Sequence, residues 1–271
     1  MTFSIVARSA DGESWGVAVA SKFLAVGSAV PAAVAQVGAI ATQADANVAY
    51  KGLALAHLDE GATAGVALHR LLEEDEGRDH RQVGIVDADG GSASHTGPAC
   101  LDWAGSLTGE GYAIQGNILA GSHVVEEMER VWLESADEPS LARRLLAVLR
   151  AGDEAGGDRR GRQSAALLVV KEGAGYGGLD DIAVDLRVDD HAAPCTELGR
   201  LLDLNDLYLT ASTDDEKVEV TPELREELET KAKALGASDF HAWVGTENYE
   251  MRVAPDASWI DSKILAILRE A

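Results

Sequence analysis

The hydrophobic pattern of the first part of the chain is that of short β-strands joined by tight turns. Two apolar-rich runs, residues 3–8 and 15–20, flank an Asp-Gly turn signal and predict a β-hairpin. Two further runs, 25–35 and 37–42, are dense in Val, Ala and Gly, which is typical of strands buried on both faces. Thr2 therefore stands at the start of a strand.

Alternation along this first strand separates its polar from its apolar side chains. Successive side chains of a strand point to opposite faces of a sheet. The sequence thus predicts one face that carries Thr2, Ser4 and Val6, and a second face that carries Phe3, Ile5 and Ala7. The Thr2 hydroxyl is expected to face a site while its neighbours pack in the core.

Later segments combine another hairpin with helices of clear 3.6-residue period. The hairpin is predicted around Asp89-Gly90-Gly91, and a strand over 111–117 ends in a polar amide. Thr63, Ser122 and Ser140 are predicted helix N-caps. The residues predicted to face inward are Val66, Leu68, Leu71 and Leu72 after the first cap, Val124, Met128, Val131 and Trp132 after the second, and Leu141, Leu145, Val148 and Leu149 after the third. Hairpins followed by paired helices favour the α+β fold class over a parallel βαβ sheet.

The composition changes after Tyr208. An acidic linker over 213–216 leads to a stretch whose first helix begins at Thr221-Pro222, with Pro at the first helical position. Trp243 and Trp259 are the expected anchors of its small core. We therefore predict two domains, residues 1–212 and a mostly helical domain over 213–271.

Charge is the most unusual property of the composition. The 271 residues include 46 acidic and 23 basic ones, for a net charge of −23. Such a surface repels nucleic acid and anionic membranes, so neither is expected as a partner. Adaptation to high salt and a simply acidic protein are both consistent with this excess.

The cysteines and the hydropathy pattern bear on the compartment. Cys100 and Cys195 are far apart and form no metal-type spacing, so free thiols are expected. No apolar run reaches membrane length, and no signal-peptide pattern precedes Thr2. A cytoplasmic protein is the expectation.

Thr2 is the first candidate for chemistry. Removal of Met1 would leave a hydroxyl and a free α-amine on the same residue. The pKa of a free α-amine is about 7.7–8.0, so a neutral fraction is present at pH 7 to accept the hydroxyl proton. The alternative is that Thr2 only begins a strand, as Thr commonly does.

Two further residues are candidate catalytic groups. Asn117, at the end of a predicted strand, is a candidate oxyanion donor through its side-chain N–H. Lys22, which follows the second strand, is a candidate for keeping the amine of Thr2 neutral or for positioning it. The alternatives are a turn or capping role for Asn117 and a solvated strand end for Lys22.

A basic loop over 156–164 is the candidate substrate-binding segment. Its charged members are Asp158, Arg159, Arg160 and Arg162. Planar guanidiniums match carboxylates, so the loop is a candidate clamp for an anionic substrate. Internal ion pairing, with Asp153 or Asp158, or pairing with a partner subunit, remains the alternative.

Gln43 and Asn47, near another strand end, are candidate pocket residues or part of a solvated loop.

Metal and phosphate sites are not expected. The seven His residues are scattered, and none is spaced at i, i+4 with a Glu as in a zinc-protease helix. The Gly-rich run over 173–178 lacks the Lys-Ser/Thr ending of a P-loop and is more typical of a turn. No cofactor is predicted.

Four separated segments, 2–7, 16–21, 115–119 and 156–168, together resemble the family catalogued as domain of unknown function 1028, which is placed among the N-terminal-nucleophile hydrolases. The resemblance spans roughly residues 2–207. It implies a four-layer αββα sandwich and a nucleophile at the start of the first strand, which is Thr2 here. The tail is similar to a peptidoglycan-binding-like domain that some members carry.

Two functions follow as expectations. The first is hydrolysis of a C–N amide bond in a small, anionic molecule, with Thr2 as nucleophile and a homodimer as the expected assembly. The second is a catalytically silent protein of the same fold that binds an anion through the basic loop or acts as a scaffold.

Overall fold

Antiparallel pairing joins the strands of the first 190 residues into two sheets. The computed structural model describes residues 2–271. The strands are β1 (Thr2–Arg8), β2 (Ser14–Ser21), β3 (Pro31–Val34), β4 (Gly38–Ala44), β5 (Arg81–Asp87), β6 (Ser92–Thr96), β7 (Gly105–Gly109), β8 (Tyr112–Asn117), β9 (Ser164–Lys171) and β10 (Ile182–Val188). A six-stranded sheet has the order β10-β9-β2-β1-β8-β7, and a four-stranded sheet has the order β3-β4-β5-β6. The strand β1 therefore lies in the middle of the larger sheet.

Six α-helices lie within residues 2–209. They are α1 (Val26–Ala29), α2 (Tyr50–Asp59), α3 (Ala64–Glu73), α4 (His123–Glu134), α5 (Leu141–Glu154) and α6 (Pro194–Leu209). α5 packs on β1 and β2 of the larger sheet, whereas α2 and α3 pack on β4 and β5 of the smaller one. The fold is thus a mixed α/β arrangement with antiparallel sheets.

The two faces of β1 pack as the alternation predicts. Val6 belongs to a buried cluster that also contains Val17 of β2 and Ala39 and Val86 of the four-stranded sheet, so its face of β1 meets the other sheet. Phe3 contacts Gly152 of α5 on the opposite face, where an added Cβ would meet the Phe3 ring at 3.2 Å. Thr2 and Ser4 accordingly share the side that faces the second sheet.

The predicted strand over 25–35 is wrong in its first half. Val26–Ala29 forms the short helix α1, and only Pro31–Val34 forms a strand. The sequence also did not predict helix α2 or strand β7. A short run of small apolar residues has no period that separates a strand from a helical turn, which accounts for this error.

Most of the predicted helix caps and faces are confirmed. The side chains of Thr63 and Ser140 accept hydrogen bonds from the first turns of α3 and α5. All four residues predicted to face inward in α5 are buried. Ser122 occupies the N-cap position of α4 but makes no capping hydrogen bond, and Val66 of α3 is exposed rather than inward.

The chain folds into two compact units, the first of which ends at Leu201 and the second of which spans Leu202–Ala271. The sequence prediction places the boundary later, at residue 213. The second unit contains β11 (Lys217–Glu219), α7 (Pro222–Ala234), α8 (Phe240–Glu247), β12 (Trp259–Asp261) and α9 (Ser262–Glu270). Its core holds Trp243, whereas Trp259 is only half-buried.

A buried ion pair lies inside the second unit. The Arg252 guanidinium donates to Asp261 Oδ2 at 2.9 Å, and both side chains are almost fully buried. Ser212 Oγ donates to the same carboxylate oxygen at 2.6 Å.

No helix in the described part of the chain, residues 2–271, has both the length and the apolarity that a bilayer crossing requires.

Candidate active site

Thr2 is the first residue of the central strand β1 and lies between the neighbouring strands β2 and β8. It pairs in register with Asn117 of β8. On its other side the register of β1 and β2 brings it to Ser21, whose Oγ is 3.1 Å from Thr2 Oγ1. Only 6% of Thr2 is exposed. The Thr2 hydroxyl is therefore held by a second hydroxyl in a nearly closed environment. Met1, whose removal the sequence-based mechanism requires, lies outside the described residues.

Asn117 is buried, and the residue after it has an unusual backbone conformation. Its Nδ2 donates to Gln82 Oε1 at 2.8 Å. Ile118 follows with φ of 51°, a left-handed conformation that a β-branched residue rarely adopts. The Ile118 N–H donates to the carbonyl of Leu101 at 2.8 Å. Such conformations cost of order 1–3 kcal/mol and concentrate at functional sites, so the turn directly after Asn117 supports the choice of this strand end.

A chain of buried polar side chains runs from Thr2 between the two sheets. Its members are Ser4, Gln43, Gln82, Gln115 and Asn117, each no more than 1% exposed. Gln43 Nε2 donates to the Thr2 carbonyl oxygen at 3.3 Å and to Gln82 Oε1 at 2.8 Å. Ser4 Oγ donates to Gln43 Oε1 at 2.7 Å and accepts from Gln115 Nε2 at 2.6 Å. Buried amides of this kind are costly unless they are paired, and nearly all of these are.

Gln115 provides the exception. Its Oε1 is buried without a hydrogen-bond partner. This oxygen lies against Gly84 of β5, where a Cβ would collide with it. Gly84 thus leaves the room that the Gln115 amide occupies.

Asp158 connects three segments at the same edge of the sheet. Its carboxylate accepts from the backbone N–H groups of Lys22 and Arg160, each at 2.8 Å. A backbone bridge pairs Asp158 with Leu119, two residues after Asn117. The neighbouring Gly157 lies against the Phe3 ring, where a Cβ would be 3.0 Å away. The basic loop therefore borders the start of β1.

Lys22 contributes to this edge mainly through its backbone. Its N–H donates to Asp158, and its carbonyl oxygen accepts from Arg160 Nη2 at 3.1 Å. Its exposed Nζ donates to the Arg162 carbonyl oxygen at 3.3 Å. The ammonium that was predicted to act on the Thr2 amine is thus engaged with the basic loop.

The three arginines of the basic loop differ in their contacts. Arg160 Nη2 donates to Asp158 Oδ2 at 3.3 Å, and Arg162 Nε donates to Asp153 Oδ1 at 2.7 Å. The hydrogen bond that Arg162 donates to Asp153 raises the pKa of its guanidinium above the usual range. Arg159 is exposed, and within residues 2–271 it makes no ion pair. Internal pairing, one of the two interpretations of this loop, thus describes Arg160 and Arg162.

Gln43 and Asn47 have separate surroundings. Gln43 belongs to the buried polar chain beside Thr2. Asn47 donates to Asp75 Oδ2 at 3.3 Å and accepts from the backbone N–H of Ala49 at 3.2 Å, at the start of α2. Its contacts are those of a residue that orders the turn before a helix.

Sequence reasoning missed Ser4, Ser21, Gln82 and Gln115 as members of the site. Two signals were available. Ser4 alternates with Thr2 on one strand face, as Gln115 does with Asn117. Gln82 directly precedes the apolar run of β5, where a buried amide needs a partner.

A surface groove lies apart from Thr2. It has a volume of about 620 Å³ and is lined by residues of α4 and α5, among them Arg130 and Arg150, and Thr2 is not in its lining. Within residues 2–271, no group of three His, Cys, Asp or Glu side chains is arranged to hold a metal ion.

Comparisons with known proteins identify relatives of the first unit. Residues 2–198 match the model of a family of unknown function, DUF1028. A solved structure of that family, the crystal structure of protein SPO2555 from Silicibacter pomeroyi, is similar to this chain with a TM-score of 0.68 and 30% sequence identity. The match covers 79% of this chain and 90% of that one. The search of curated proteins found no match.

Proposed function

We propose that this chain, which belongs to the DUF1028 family of unknown function, is an amidohydrolase with Thr2 as its N-terminal nucleophile. The family description gives no activity, so the proposal is based on the geometry of the site. The packing order supports this proposal: α4 and α5 contact the larger sheet, the larger sheet contacts the smaller one, and α2 and α3 contact the smaller sheet. A four-layer αββα sandwich of the N-terminal-nucleophile kind would have this order. In this proposal the protein cleaves a C–N amide bond of a small, anionic substrate.

The position of the Thr2 hydroxyl carries the proposal. Thr2 Oγ1 lies 3.1 Å from Ser21 Oγ, at the end of the central strand and in register with Asn117. A strand-end hydroxyl that only capped the sheet would need neither a second hydroxyl nor a buried amide beside it. The hydrogen bond with Ser21 orients the oxygen that attacks.

The chemistry begins once Met1 has been removed. The Thr2 oxygen attacks the amide carbonyl carbon, and the hydroxyl proton passes to the Thr2 α-amine. The tetrahedral intermediate has a negatively charged oxygen, which accepts from the second N–H of the Asn117 side chain. Collapse of the intermediate breaks the C–N bond, and the leaving nitrogen takes the proton from the α-ammonium.

An ester between Thr2 and the acyl group remains. Water attacks this ester while the α-amine accepts one of its protons. The bond between the acyl carbon and Thr2 Oγ1 then breaks, Thr2 Oγ1 takes the proton back from the α-ammonium, and the carboxylic acid is released. Of the basic loop, Arg159 is the residue proposed to attract the substrate carboxylate, because Arg160 and Arg162 are paired with Asp158 and Asp153.

Intact-mass measurement and turnover by Thr2 variants test the proposal. The expected mass is that of the chain without Met1. Against a panel of small amides and ureido acids, Thr2→Ala is expected to lose at least about 10³-fold in kcat with an unchanged melting temperature, whereas Thr2→Ser retains a hydroxyl and measurable turnover.

An active Thr2→Ala protein would remove Thr2 from the chemistry. Retained Met1, with carboxylate binding and no turnover of any amide in the panel, would instead favour the silent anion-binding protein of the same fold.

A further inference from the structure

We infer that Gln82 is a positioning residue that fixes the direction of the Asn117 side-chain amide. This inference rests on the proposed function, since it concerns the group assigned to the oxyanion. Gln82 comes from β5 of the four-stranded sheet, whereas Asn117 ends β8 of the six-stranded sheet. Gln82 is fully buried and reaches across the space between them.

Two backbone carbonyls set the direction of the Gln82 amide. Its Nε2 lies 2.7 Å from the oxygen of Gly116 and 3.2 Å from the oxygen of Gly105. A backbone carbonyl oxygen only accepts, so the NH2 end of Gln82 has to face these two atoms. The Oε1 end therefore faces the opposite way, toward the start of β1.

Gln82 Oε1 in turn sets the direction of two other amides. It accepts from Asn117 Nδ2 and from Gln43 Nε2, each at 2.8 Å. Because this oxygen has no proton to donate, both partners must present their NH2 groups to it. One proton of Asn117 Nδ2 is thereby held, and the second is left with a fixed direction.

The order of donors and acceptors along the other buried polar side chains agrees with a direction set at Gln82. With its NH2 group turned to Gln82, Gln43 presents Oε1 to Ser4, whose hydroxyl has to donate. Ser4 Oγ then accepts from Gln115 Nε2, and Gln115 Oε1 is left buried without a partner. An acceptor left unpaired at the far end is expected if the order of donors is imposed from the Gln82 end.

Gln82 Oε1 is the acceptor that holds Asn117 Nδ2 in this direction. Without it, the Asn117 side chain can rotate and present Oδ1, an acceptor, where the oxyanion forms. Gln82 thus acts on the reaction through Asn117.

A double-mutant cycle tests the inference. Gln82→Met keeps the length of the side chain and removes its amide, and we expect kcat for the best amide substrate to fall about 10²-fold with little change in KM. Once Asn117→Ala has removed the group that is positioned, adding Gln82→Met should lower kcat no further. Thr96→Val is the matched control. Thr96 Oγ1 accepts a hydrogen bond from Gln82 Nε2 at 3.0 Å, so this variant removes a hydrogen bond of the same Gln82 amide, but at the end that faces away from Asn117. It should retain kcat within about threefold. Additive losses in the cycle, or an equal loss in Thr96→Val, would overturn the inference.

A spectroscopic measurement separates this inference from the proposed function. In ¹⁵N-labelled protein, the Asn117 side-chain Nδ2 signals should shift in Gln82→Met and stay unchanged in Thr96→Val. If the wild-type protein cleaves no amide, the proposed function fails, while unmoved Asn117 signals in Gln82→Met would refute the positioning role itself.

Should Gln82→Met fail to fold, Gln82→Glu provides the same comparison. When protonated, Glu can still donate to Gly116. The ratio of its kcat to that of wild type at the same pH, and its Asn117 shifts, should therefore approach the wild-type values at acid pH and depart from them as the carboxyl ionises. A pH-independent Gln82→Glu protein with wild-type kcat and Asn117 shifts would count against the inference.

Discussion

Asp158 Oδ2 accepts a hydrogen bond from the backbone N–H of Lys22 at 2.8 Å, although the two residues are 136 positions apart in the chain. The same carboxylate holds the Arg160 N–H, so the end of β2 and the basic loop depend on one buried side chain. A carboxylate accepts at both oxygens, which an amide cannot do.

Asp158→Asn is therefore expected to lower the free energy of unfolding of the first unit by about 2 kcal/mol, because its NH2 group must face a backbone donor. Urea unfolding followed by tryptophan fluorescence measures the change. Asp185→Asn is the matched control, since Asp185 pairs with Arg187 at a half-exposed position of β10 and should cost at most about 1 kcal/mol. Equal losses in the two variants would show that Asp158 does not connect these segments.

Gly84→Ala is expected to destabilise the protein by about 2 kcal/mol, because the new Cβ would collide with the buried Gln115 amide. That amide cannot retreat without breaking its 2.6 Å hydrogen bond to Ser4. In Gly52→Ala, on the exposed side of α2, a Cβ meets no atom within 4 Å, and the helix should gain up to about 1 kcal/mol. Thermal melts of both variants give the comparison. An unchanged melting temperature for Gly84→Ala would mean that the Gln115 amide does not fill the space next to Gly84.

Asp75 provides a pH-dependent contribution to stability. Hydrogen bonds from Arg81, and then from Tyr50 and from the Gly77 and Asn47 N–H groups, hold the pKa of Asp75 well below its ordinary value of 3.8. Since the folded pKa lies below the unfolded one, the stabilisation is complete above about pH 5 and is lost as the pH falls through 4 toward the folded value. Asp75→Asn should cost about 2 kcal/mol at pH 7 and progressively less below pH 4. Urea unfolding at several pH values measures this, and a loss that does not change between pH 7 and pH 3 would contradict it.

Arg159 and Arg162 should have different effects on substrate binding. Arg159→Ala is expected to raise KM for carboxylate-bearing amides several-fold and to leave KM for neutral amides unchanged, because its guanidinium is exposed and unpaired within residues 2–271. Arg162→Ala removes a guanidinium that is already bound to Asp153, so it should change KM little. Steady-state kinetics on matched anionic and neutral amides distinguishes the two, and equal effects on both substrates would refute the binding role of Arg159.

The strands and their faces were predictable from the sequence where the alternation was strong. The opposite orientations of Thr2 and Phe3 follow from strand period alone, and the capping side chains of Thr63 and Ser140 follow from local chemistry. Helix α1 was missed because its four residues carry no period, and α2 because its apolar residues form no clear stripe.

The candidate site was predictable only in part, for a different reason. Thr2 and Asn117 have chemistry that can be recognised in isolation. The role of Gln82 depends on the carbonyls of Gly105 and Gly116, and that of Asp158 depends on the Lys22 N–H, so both arise from pairings between distant segments. No local pattern encodes such pairings, and the same limit explains why the ammonium of Lys22, rather than its backbone, was expected at the site.

The register of Thr2 with Asn117 also determines when the site forms during synthesis. Thr2 is synthesised before its neighbours Ser21, Gln43, Asn117 and Asp158, which are added over the following 156 residues. A nascent chain that stops short of Asp158 carries the hydroxyl without the surroundings that orient it, because a contact of such long range forms only after both segments are available. Thr2 therefore lacks these neighbours until residue 158 has been synthesised, and its surroundings are complete only as the first unit nears completion.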